Sequence, residues 1–354
     1  MFSKRWIQIA ALLFTLQMSA KAPPSPPPPP YDADLFRKDE QVFSGHVEFL
    51  YWTIEEGATE YAMKMSSPAW GSALTTQNYA QGNFEMAGYG FDPGLRVALS
   101  FYRAPRYWEI KWQYTRATIR GRDHAGAPDE ANEFLTGTWP QIITAPLQGA
   151  KSYLHFNYNV LDMVVARVFN PNPHLRIRFI GGATSAWMSQ QWVIRYFNAA
   201  QNNTRINNRW TYAAGGLKLG STVDWFWEHD LYITATGAAG LFMGSYHNQS
   251  KQTADVAPAG AAPGSYNPDL PLRNAKMSNI RPSFMAQMSL GPSYQKNFCN
   301  ARLELFAGYE IALWTNLQEI YRSTAGAPND AKEPWTNTST LALHGVTVRV
   351  SGDF

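Results

Sequence analysis

The chain has 354 residues, of which 14% are aromatic and only 16% are charged, and its formal net charge is +3. Typical globular proteins carry about 25% charged residues, and so small a net charge argues against a nucleic-acid partner. The lone cysteine, Cys299, excludes an internal disulfide, and we expect neither a metal nor any other cofactor.

The first 42 residues read as a leader and a spacer. The basic pair Lys4-Arg5 precedes an apolar stretch at 6–16, and Ala20-Lys21-Ala22 has a small-x-small pattern, so we predict a removed signal peptide over 1–22. Residues 23–30 are almost entirely proline, which predicts a stiff periplasmic spacer within 23–42. This spacer is either an inert linker or a tether to the cell wall or another envelope protein.

Beyond the spacer, apolar and polar residues alternate with a period of two, as in the segment from Leu95 to Tyr102 and the one from Trp108 to Thr115. Only a strand separates such residues onto two faces. The pattern predicts an all-β fold over 43–354, a transmembrane antiparallel up-and-down β-barrel of about ten strands. Phase breaks at Gly57, Gly94 and Gly182 leave 12–16 strands as the alternative. The predicted strands are 43–65, 82–103, 106–120, 151–169, 174–197, 208–221, 225–248, 276–292, 297–315 and 339–354.

The links between these strands alternate between short and long. Short periplasmic turns and long extracellular loops are typical of outer-membrane barrels, and a long loop at 121–150 could fold into the lumen. Aromatic residues gather beside the short turns and predict an interfacial girdle; they are Tyr102, Tyr107, Trp108, Trp225, Phe226, Trp227, Tyr294 and Phe298.

The polar strand faces carry a set of basic residues. An Arg or Lys that faced lipid near the midplane would cost about 2–4 kcal/mol, so we expect these residues to line the lumen. They are Arg96, Lys111, Arg176, Arg178, Arg281, Arg302 and Arg349. Two interpretations stay open: a lumen braced by ion pairs that block flow, or a hydrated channel with a mild anion preference.

Two strands need a local irregularity in this scheme. The apolar face from Leu154 to Val160 is assigned to lipid, which places Asp162 on the wrong side and predicts a bulge there. Leu341 and Leu343 oppose the parity of the terminal strand, which predicts a phase change near Gly345.

The terminal strand itself reads as an assembly signal for the barrel assembly machinery. Val346, Val348, Val350 and the final residue, Phe354, share one face, as a closing strand that meets lipid requires. We therefore expect Val348→Arg to block assembly and Thr347→Arg, on the lumen face, to be tolerated.

Catalytic signals are weak, and we do not expect an enzyme. Glu228-His229-Asp230 would place His229 on the opposite face from its neighbours, and Asp123-His124 lies in a long loop. No serine motif of the nucleophile-elbow type accompanies either group.

Several short segments, taken in order, resemble the major-outer-membrane-protein-like porins of Legionella and of chlamydia-related bacteria. They are Val47–Trp52, Gly90–Val97, Tyr158–Asp162, Gly215–Gly220 and the terminal strand. The resemblance implies a porin of the bacterial outer membrane that passes small hydrophilic solutes by passive diffusion. The chlamydial members are rich in disulfide-forming cysteine, so a disulfide-linked lattice is not expected here.

Two alternatives remain beside the porin. One is a structural or adhesive barrel with a plugged lumen, and the other is an outer-membrane hydrolase with its active site on the loops. The expected partners are outer-membrane lipid, the barrel assembly machinery and small hydrophilic solutes, with a homo-oligomer left open and no nucleic acid.

Overall fold

The fold, seen in a computed structural model, is an all-β ring of ten antiparallel strands with a small second sheet. The structure describes residues 36, 40–66, 82–103, 107–129, 133–139, 147–198, 203–227, 230–255, 267, 271–298, 300–323 and 334–354, with side chains left out at 321–323 and 334–338. The predicted signal peptide and nearly all of the proline-rich spacer lie outside these residues. Within them, no helix is long and apolar enough to cross a bilayer.

Thirteen strands follow one another along the described chain. Their bounds are β1 Gln41–Glu56, β2 Glu60–Ser66, β3 Gly82–Met86, β4 Asp92–Arg103, β5 Trp108–Gly126, β6 Glu133–Gly137, β7 Gly149–Asn172, β8 Leu175–Phe197, β9 Asn203–Phe226, β10 Leu231–Ala254, β11 Arg273–Asn297, β12 Arg302–Ser323 and β13 Pro334–Asp353. Ten of them close the barrel in the order β1-β13-β12-β11-β10-β9-β8-β7-β5-β4. The ten-strand prediction is confirmed, with every neighbour antiparallel.

Strands β2, β3 and β6 form a separate sheet in the order β3-β2-β6, which we call the inner sheet. The predicted strands 43–65 and 82–103 are each divided, because the chain leaves the barrel after Glu56 and returns at Asp92. The break in alternation at Gly57 therefore marks the point where the chain leaves the barrel wall. Gly182 marks none, since β8 runs through it in unbroken register.

The chain closes on itself at the end of the barrel that carries the short links. There Phe354 donates its backbone N–H to the carbonyl oxygen of Phe43 at 2.8 Å, and Phe43 returns the bond at 3.1 Å. Links such as 227–230 and 298–301 lie at this end, which is the periplasmic end by the short-turn rule. The links that hold the inner sheet lie at the other end.

The outer face carries the apolar band that lipid requires. Leu99, Leu217 and Ile280 are 69–74% exposed, and Tyr107, Trp108, Trp225, Trp227 and Phe298 lie exposed near the periplasmic end as the predicted girdle. Two predicted girdle members are placed wrongly: Tyr102 and Phe226 are 6% and 1% exposed, and they point into the barrel.

The inner face corrects two sequence predictions. Phe156, Tyr158 and Asp162 all lie on the lumen side of β7, with unbroken pairing on both neighbours, so the predicted bulge at Asp162 does not form. Leu341 and Leu343 likewise face the lumen in continuous register with Val346 onward, without a phase change at Gly345. Alternation separated the two faces correctly, but a lumen can be as apolar as the lipid side.

Candidate functional site: the barrel lumen

A layer of packed apolar side chains lies across the middle of the lumen, and we call it the aromatic layer. Trp52, Tyr158, Phe242 and Trp314 come from four different strands, yet each is at most 5% exposed. Their rings meet edge to face or tilted, with centroids 6.2 Å apart for Trp52 and Tyr158 and 4.8 Å apart for Phe242 and Trp314. The layer is completed by Leu50, Ile54, Ala117, Ile119, Phe156, Val160, Ala186, Met188, Trp210, Tyr212, Tyr246, Met285, Ala312, Leu317, Leu341 and Leu343.

The inner sheet lies against the wall beyond this layer, toward the extracellular end. Tyr61 of β2 and Leu135 of β6 are fully buried in one cluster with Trp192 and Tyr196 of β8. The Tyr196 hydroxyl donates to the backbone oxygen of Tyr61, which fixes the sheet to the barrel wall. The predicted entry of the 121–150 loop into the barrel is thus observed through β6.

A pair of polar contacts secures the inner sheet further. The Tyr61 hydroxyl donates to Asp123 Oδ2 at 3.1 Å, and burial together with that carboxylate raises the pKa of Tyr61. Gln190 donates to Glu56 Oε1 at 2.5 Å and to the Tyr89 hydroxyl at 2.7 Å, where the chain leaves and re-enters the wall.

On the periplasmic side of the aromatic layer the lumen contains a polar cavity of about 190 Å³. Its charged lining consists of six basic and six acidic residues, which are Arg96, Lys111, Arg178, Lys218, Arg302 and Arg349 with Glu48, Glu109, Asp162, Glu304, Glu310 and Asp353. The expected basic excess is therefore absent from the described lining, because sequence parity found the cations more completely than the acids.

Arg96 holds the largest ion-pair group of the cavity. Its guanidinium donates to Glu48 Oε2 at 2.6 Å and to Glu310 Oε1 at 2.7 Å, while its Nε donates to Thr115 at 2.9 Å. Thr347 donates to Glu310 Oε2 at 3.1 Å and accepts from the Trp52 indole at 3.2 Å. This arrangement ties together five neighbouring strands of the ring, β12, β13, β1, β4 and β5, and it couples the charges to the aromatic layer through Trp52.

A second group lies nearer the periplasmic end. Arg176 is fully buried and donates from Nε to Asp224 Oδ2 at 2.8 Å, and Arg178 reaches the same oxygen at 3.2 Å. Glu304 accepts from Arg176 at 3.3 Å and from Arg302 at 3.2 Å, and Arg302 also pairs with Asp353 at 2.6 Å.

The remaining predicted lumen residues, which are Arg281, Arg349 and Lys111, differ in their position and in their partners. Arg281 lies outside the cavity, stacked 3.7 Å from the Tyr246 ring centroid and paired with Glu319 at 2.5 Å. Arg349 is 3.8 Å from Glu48 and lies over the Phe306 ring. Lys111 lines the cavity without an ion pair among the described residues.

Sequence reasoning did not place Lys218, Glu48, Asp224 or Asp353 in these groups, and it assigned Asp162 to the lipid side. Lys218 pairs with Asp162 at 3.2 Å, and Glu48 and Asp224 are described above. The alternation of apolar and polar residues could have identified Lys218 as a lumen residue, since it lies between the exposed Leu217 and Leu219. Asp162 was misplaced because the apolar neighbours on its face were assigned to lipid.

The terminal strand β13 presents its valines to the outside. Val346, Val348 and Val350 are 41–46% exposed, and Phe354 is 65% exposed. Gly352 occupies the fourth outward position, where a Cβ atom would come within 3.1 Å of the Phe354 ring. The glycine thus leaves room for the terminal ring to fold back on its own strand.

The described members of the candidate catalytic groups have other partners. Asp123 accepts from Tyr61 and from the backbone N–H of His124 at 2.8 Å, so its carboxylate holds the inner sheet. Glu228 and His229 lie outside the described residues, and Asp230 is 3.4 Å from Lys296. The described residues contain no group of three or more His, Cys, Asp or Glu side chains fit to hold a metal ion.

Three solved structures match the chain at low similarity. The outer membrane protease OmpT from Escherichia coli matches at a TM-score of 0.42 and 9% identity, over 90% of this chain and 98% of its own. A Pseudomonas aeruginosa FadL homologue matches at 0.24 and 8%, over 89% and 90% of the two chains. The Pseudomonas putida toluene transporter TodX matches at 0.27 and 6%, over 89% of each chain.

No curated protein matches the sequence. The model of the Legionella pneumophila major outer membrane protein precursor family, in contrast, matches residues 38–354, which include every strand of the barrel. The match agrees with the sequence resemblance, with the closed ten-stranded ring and with the exposed apolar band. The chain therefore belongs to the Legionella major outer membrane protein family and is a β-barrel of the bacterial outer membrane, in contact with its lipid.

Proposed function

We propose that this protein serves as a closed, structural outer-membrane barrel that displays its long loops at the cell surface. The observation that carries the proposal is the aromatic layer, whose rings belong to the wall strands themselves. Barrels of eight strands have an interior just filled by side chains, and a ring of ten strands stays near that limit. The structural barrel was an alternative at the sequence level, and the filled lumen favours it.

Passive diffusion of small hydrophilic solutes is the second candidate. The charged cavity on the periplasmic side and the resemblance to porins support it. A solute that entered this cavity would still meet the aromatic layer and then the inner sheet. Conduction would therefore require both to rearrange, and the six-to-six charge balance of the cavity gives an anion preference no support.

Planar-bilayer conductance of the refolded full chain separates the two candidates. We expect the wild-type protein to insert without discrete current steps. We expect the triple variant Trp52→Ala, Tyr158→Ala, Trp314→Ala to conduct, because it removes three rings that meet across the lumen. Discrete openings of the wild-type barrel would reject the closed-barrel proposal and establish the pore.

A matched variant controls for general damage to the barrel. Trp112→Ala, Leu303→Ala, Leu305→Ala removes three apolar side chains from the lipid face, where they are 39–44% exposed. We expect this variant to fold and to show no discrete current steps. Equal conductance of the lumen and lipid-face variants would show that the current comes from leaky insertion.

We also propose that the protein is not an enzyme and that the barrel assembly machinery recognises β13. Support for the first comes from Asp123, whose carboxylate is engaged by Tyr61. Support for the second comes from the outward row of Val346, Val348 and Val350, which ends on an exposed terminal phenylalanine.

A further inference from the structure

The outer wall carries a dense group of cations above the apolar band, on the side formed by β5 and β7 to β11. We call this group the basic belt. Eight of its members are exposed and Lys251 is half-buried; they are Arg116, Arg120, Arg122, Lys151, Arg195, Arg205, Arg209, Lys251 and Lys276. Eight of them alternate with buried residues such as Ile119, Ile194 and Ile206, and Lys276 lies at an even position of β11, whose buried residues are at odd positions. All nine therefore point away from the lumen.

Strand register places these cations side by side. Lys151 of β7 is the direct partner of Arg195 of β8, which is the direct partner of Arg205 of β9. Strands lie about 4.8 Å apart, and like charges directly opposite one another destabilise a sheet. Three cations in one row are therefore unfavourable unless an anion lies against them.

The protein supplies almost no anion of its own there. None of the nine cations has a carboxylate within ion-pair distance among the described residues. Two nearby carboxylates bond to other groups, since Asp92 accepts the backbone N–H of Arg120 at 2.7 Å and Asp255 accepts from the side chain of Asn203 at 2.9 Å. The charge of the belt is thus left for an external group.

The surface also has a cavity of suitable size for an anionic group. A cavity of about 210 Å³ opens between β9 and β10, lined by Arg205, Asn207, Lys251 and Thr253. Two cations flanked by an amide and a hydroxyl suit a phosphate on a sugar, since guanidinium and ammonium groups bind the phosphate and the neutral groups hydrogen-bond the sugar hydroxyls.

The height of the belt indicates the kind of lipid. It begins at Arg116, two residues beyond Tyr114 of the apolar band, and continues to Arg122 and the neighbouring Lys151. Six to eight residues of strand at about 3.3 Å each, tilted by about 40°, span roughly 15–20 Å. The headgroup layer of an ordinary phospholipid leaflet is only about 5–8 Å thick. The belt therefore fits a deeper, sugar-containing headgroup.

We propose that the basic belt binds the phosphorylated sugar headgroup of a glycolipid in the outer leaflet of the membrane. The position of the belt on the wall, continuous with the lipid-facing band, favours a membrane lipid over a soluble polyanion. The opposite side of the barrel differs, since its outward polar residues near this level include Glu55 and His344. The glycolipid thus binds along one side of the ring.

The test is the affinity of the refolded full chain, in neutral detergent, for fluorescently labelled rough-type lipopolysaccharide. We expect the triple variant Lys151→Gln, Arg195→Gln, Arg205→Gln to bind at least tenfold more weakly than wild type. Lipopolysaccharide whose phosphates have been removed with hydrofluoric acid should bind both proteins equally weakly. Each lost cation near an anionic surface weakens binding by roughly fivefold, and added salt should reduce the difference.

The matched control is Arg103→Gln, Arg167→Gln, Lys296→Gln, which removes three exposed cations at the periplasmic end. It should bind as wild type does. Heat-modifiable migration on a gel verifies that each variant is folded, and Lys151→Gln with Arg205→Lys replaces the triple variant if that one fails to fold. Three outcomes would each overturn the proposal. The belt variants bind intact lipopolysaccharide as tightly as wild type does, the wild type binds the dephosphorylated lipid as tightly as the intact lipid, or the wild type binds heparin as tightly as the intact lipid.

Discussion

Arg96 shows how single residues hold the lumen together. It is 6% exposed and faces two carboxylates, Glu48 and Glu310, from strands on either side of the seam between β1 and β13. A buried ion pair gains little over an apolar pair of the same shape, but removing one partner leaves an uncompensated charge. The charged groups of the lumen therefore matter as complete sets.

We predict that Arg96→Met destabilises the barrel by about 3–5 kcal/mol, because both carboxylates lose their cation in a buried place. Urea unfolding in micelles, followed by tryptophan fluorescence, measures the effect. The triple variant Glu48→Gln, Arg96→Met, Glu310→Gln removes the whole charge set and should recover most of the loss. A single variant as stable as wild type would show that water reaches these carboxylates.

Tyr61 gives the inner sheet a dependence on alkaline pH. Its pKa is raised in the folded protein, so the neutral phenol stabilises the docked sheet fully below pH 10, the ordinary tyrosine pKa, and this contribution declines as pH rises further. We predict that the inner sheet is more sensitive to protease at pH 11 than at pH 9, with the change beginning near pH 10. In Tyr61→Phe this pH dependence should be smaller. An identical pH profile for the two proteins would assign the effect to another group.

At the scale of the strand, each barrel element has one face toward lipid and one toward a filled interior. Thr347 is 1% exposed and bonded to Trp52 and Glu310, so an arginine at this position would remove both bonds and crowd the two partner side chains. The structure therefore revises the expectation that Thr347→Arg is tolerated. Both Thr347→Arg and Val348→Arg should lower the folding yield, the first by crowding and the second by facing lipid.

A better matched pair lies on β11. Leu290 is 60% exposed to lipid, whereas its neighbour Ser289 lines the polar cavity opposite Glu310. We predict that Leu290→Arg loses about 2–4 kcal/mol and folds poorly, while Ser289→Arg folds at near wild-type yield. Refolding into phospholipid vesicles, scored by heat-modifiable migration, compares the two. Similar yields for both would show the face assignment of β11 to be wrong.

Much of the fold follows from alternation alone. The ten strands, the lipid face of Leu95 to Leu99 and the exit from the wall near Gly57 were all predictable, because a period of two separates faces. Alternation does not say which face is inside when both are apolar, as on β7, where Tyr158 and Phe156 point inward. The inner sheet was equally hidden, since its pairing depends on contacts between residues about 75 positions apart, such as Ala62 and Gly137.

In the candidate site, the direction of the basic side chains was predictable from the sequence, whereas their partners were not. Parity placed the seven basic residues on the lumen side, but their partners come from distant strands, as for Arg176 and Glu304. The basic belt escaped prediction because each of its cations looks like an ordinary solvated residue until the register brings Lys151, Arg195 and Arg205 together.

At the scale of the whole molecule, the lumen has three levels. A charged cavity lies at the periplasmic side, the aromatic layer packs across the middle, and the inner sheet lies beyond the layer toward the extracellular side. The interior holds the wall in shape, while the outer wall contacts lipid with its apolar band and carries the basic belt above it. Under the proposal of a structural barrel, the protein functions through its outer surface and its long loops.

The equal numbers of positive and negative side chains around the cavity have an electrical consequence. A membrane potential acts on a charge with about 2.3 kcal/mol per elementary charge per 100 mV. Where Arg96 is held between Glu48 and Glu310, and Arg302 beside Asp353, an applied voltage pulls paired groups in opposite directions with little net effect. The described lining of the cavity therefore carries no net formal charge apart from His46, and we expect voltage alone to move it little.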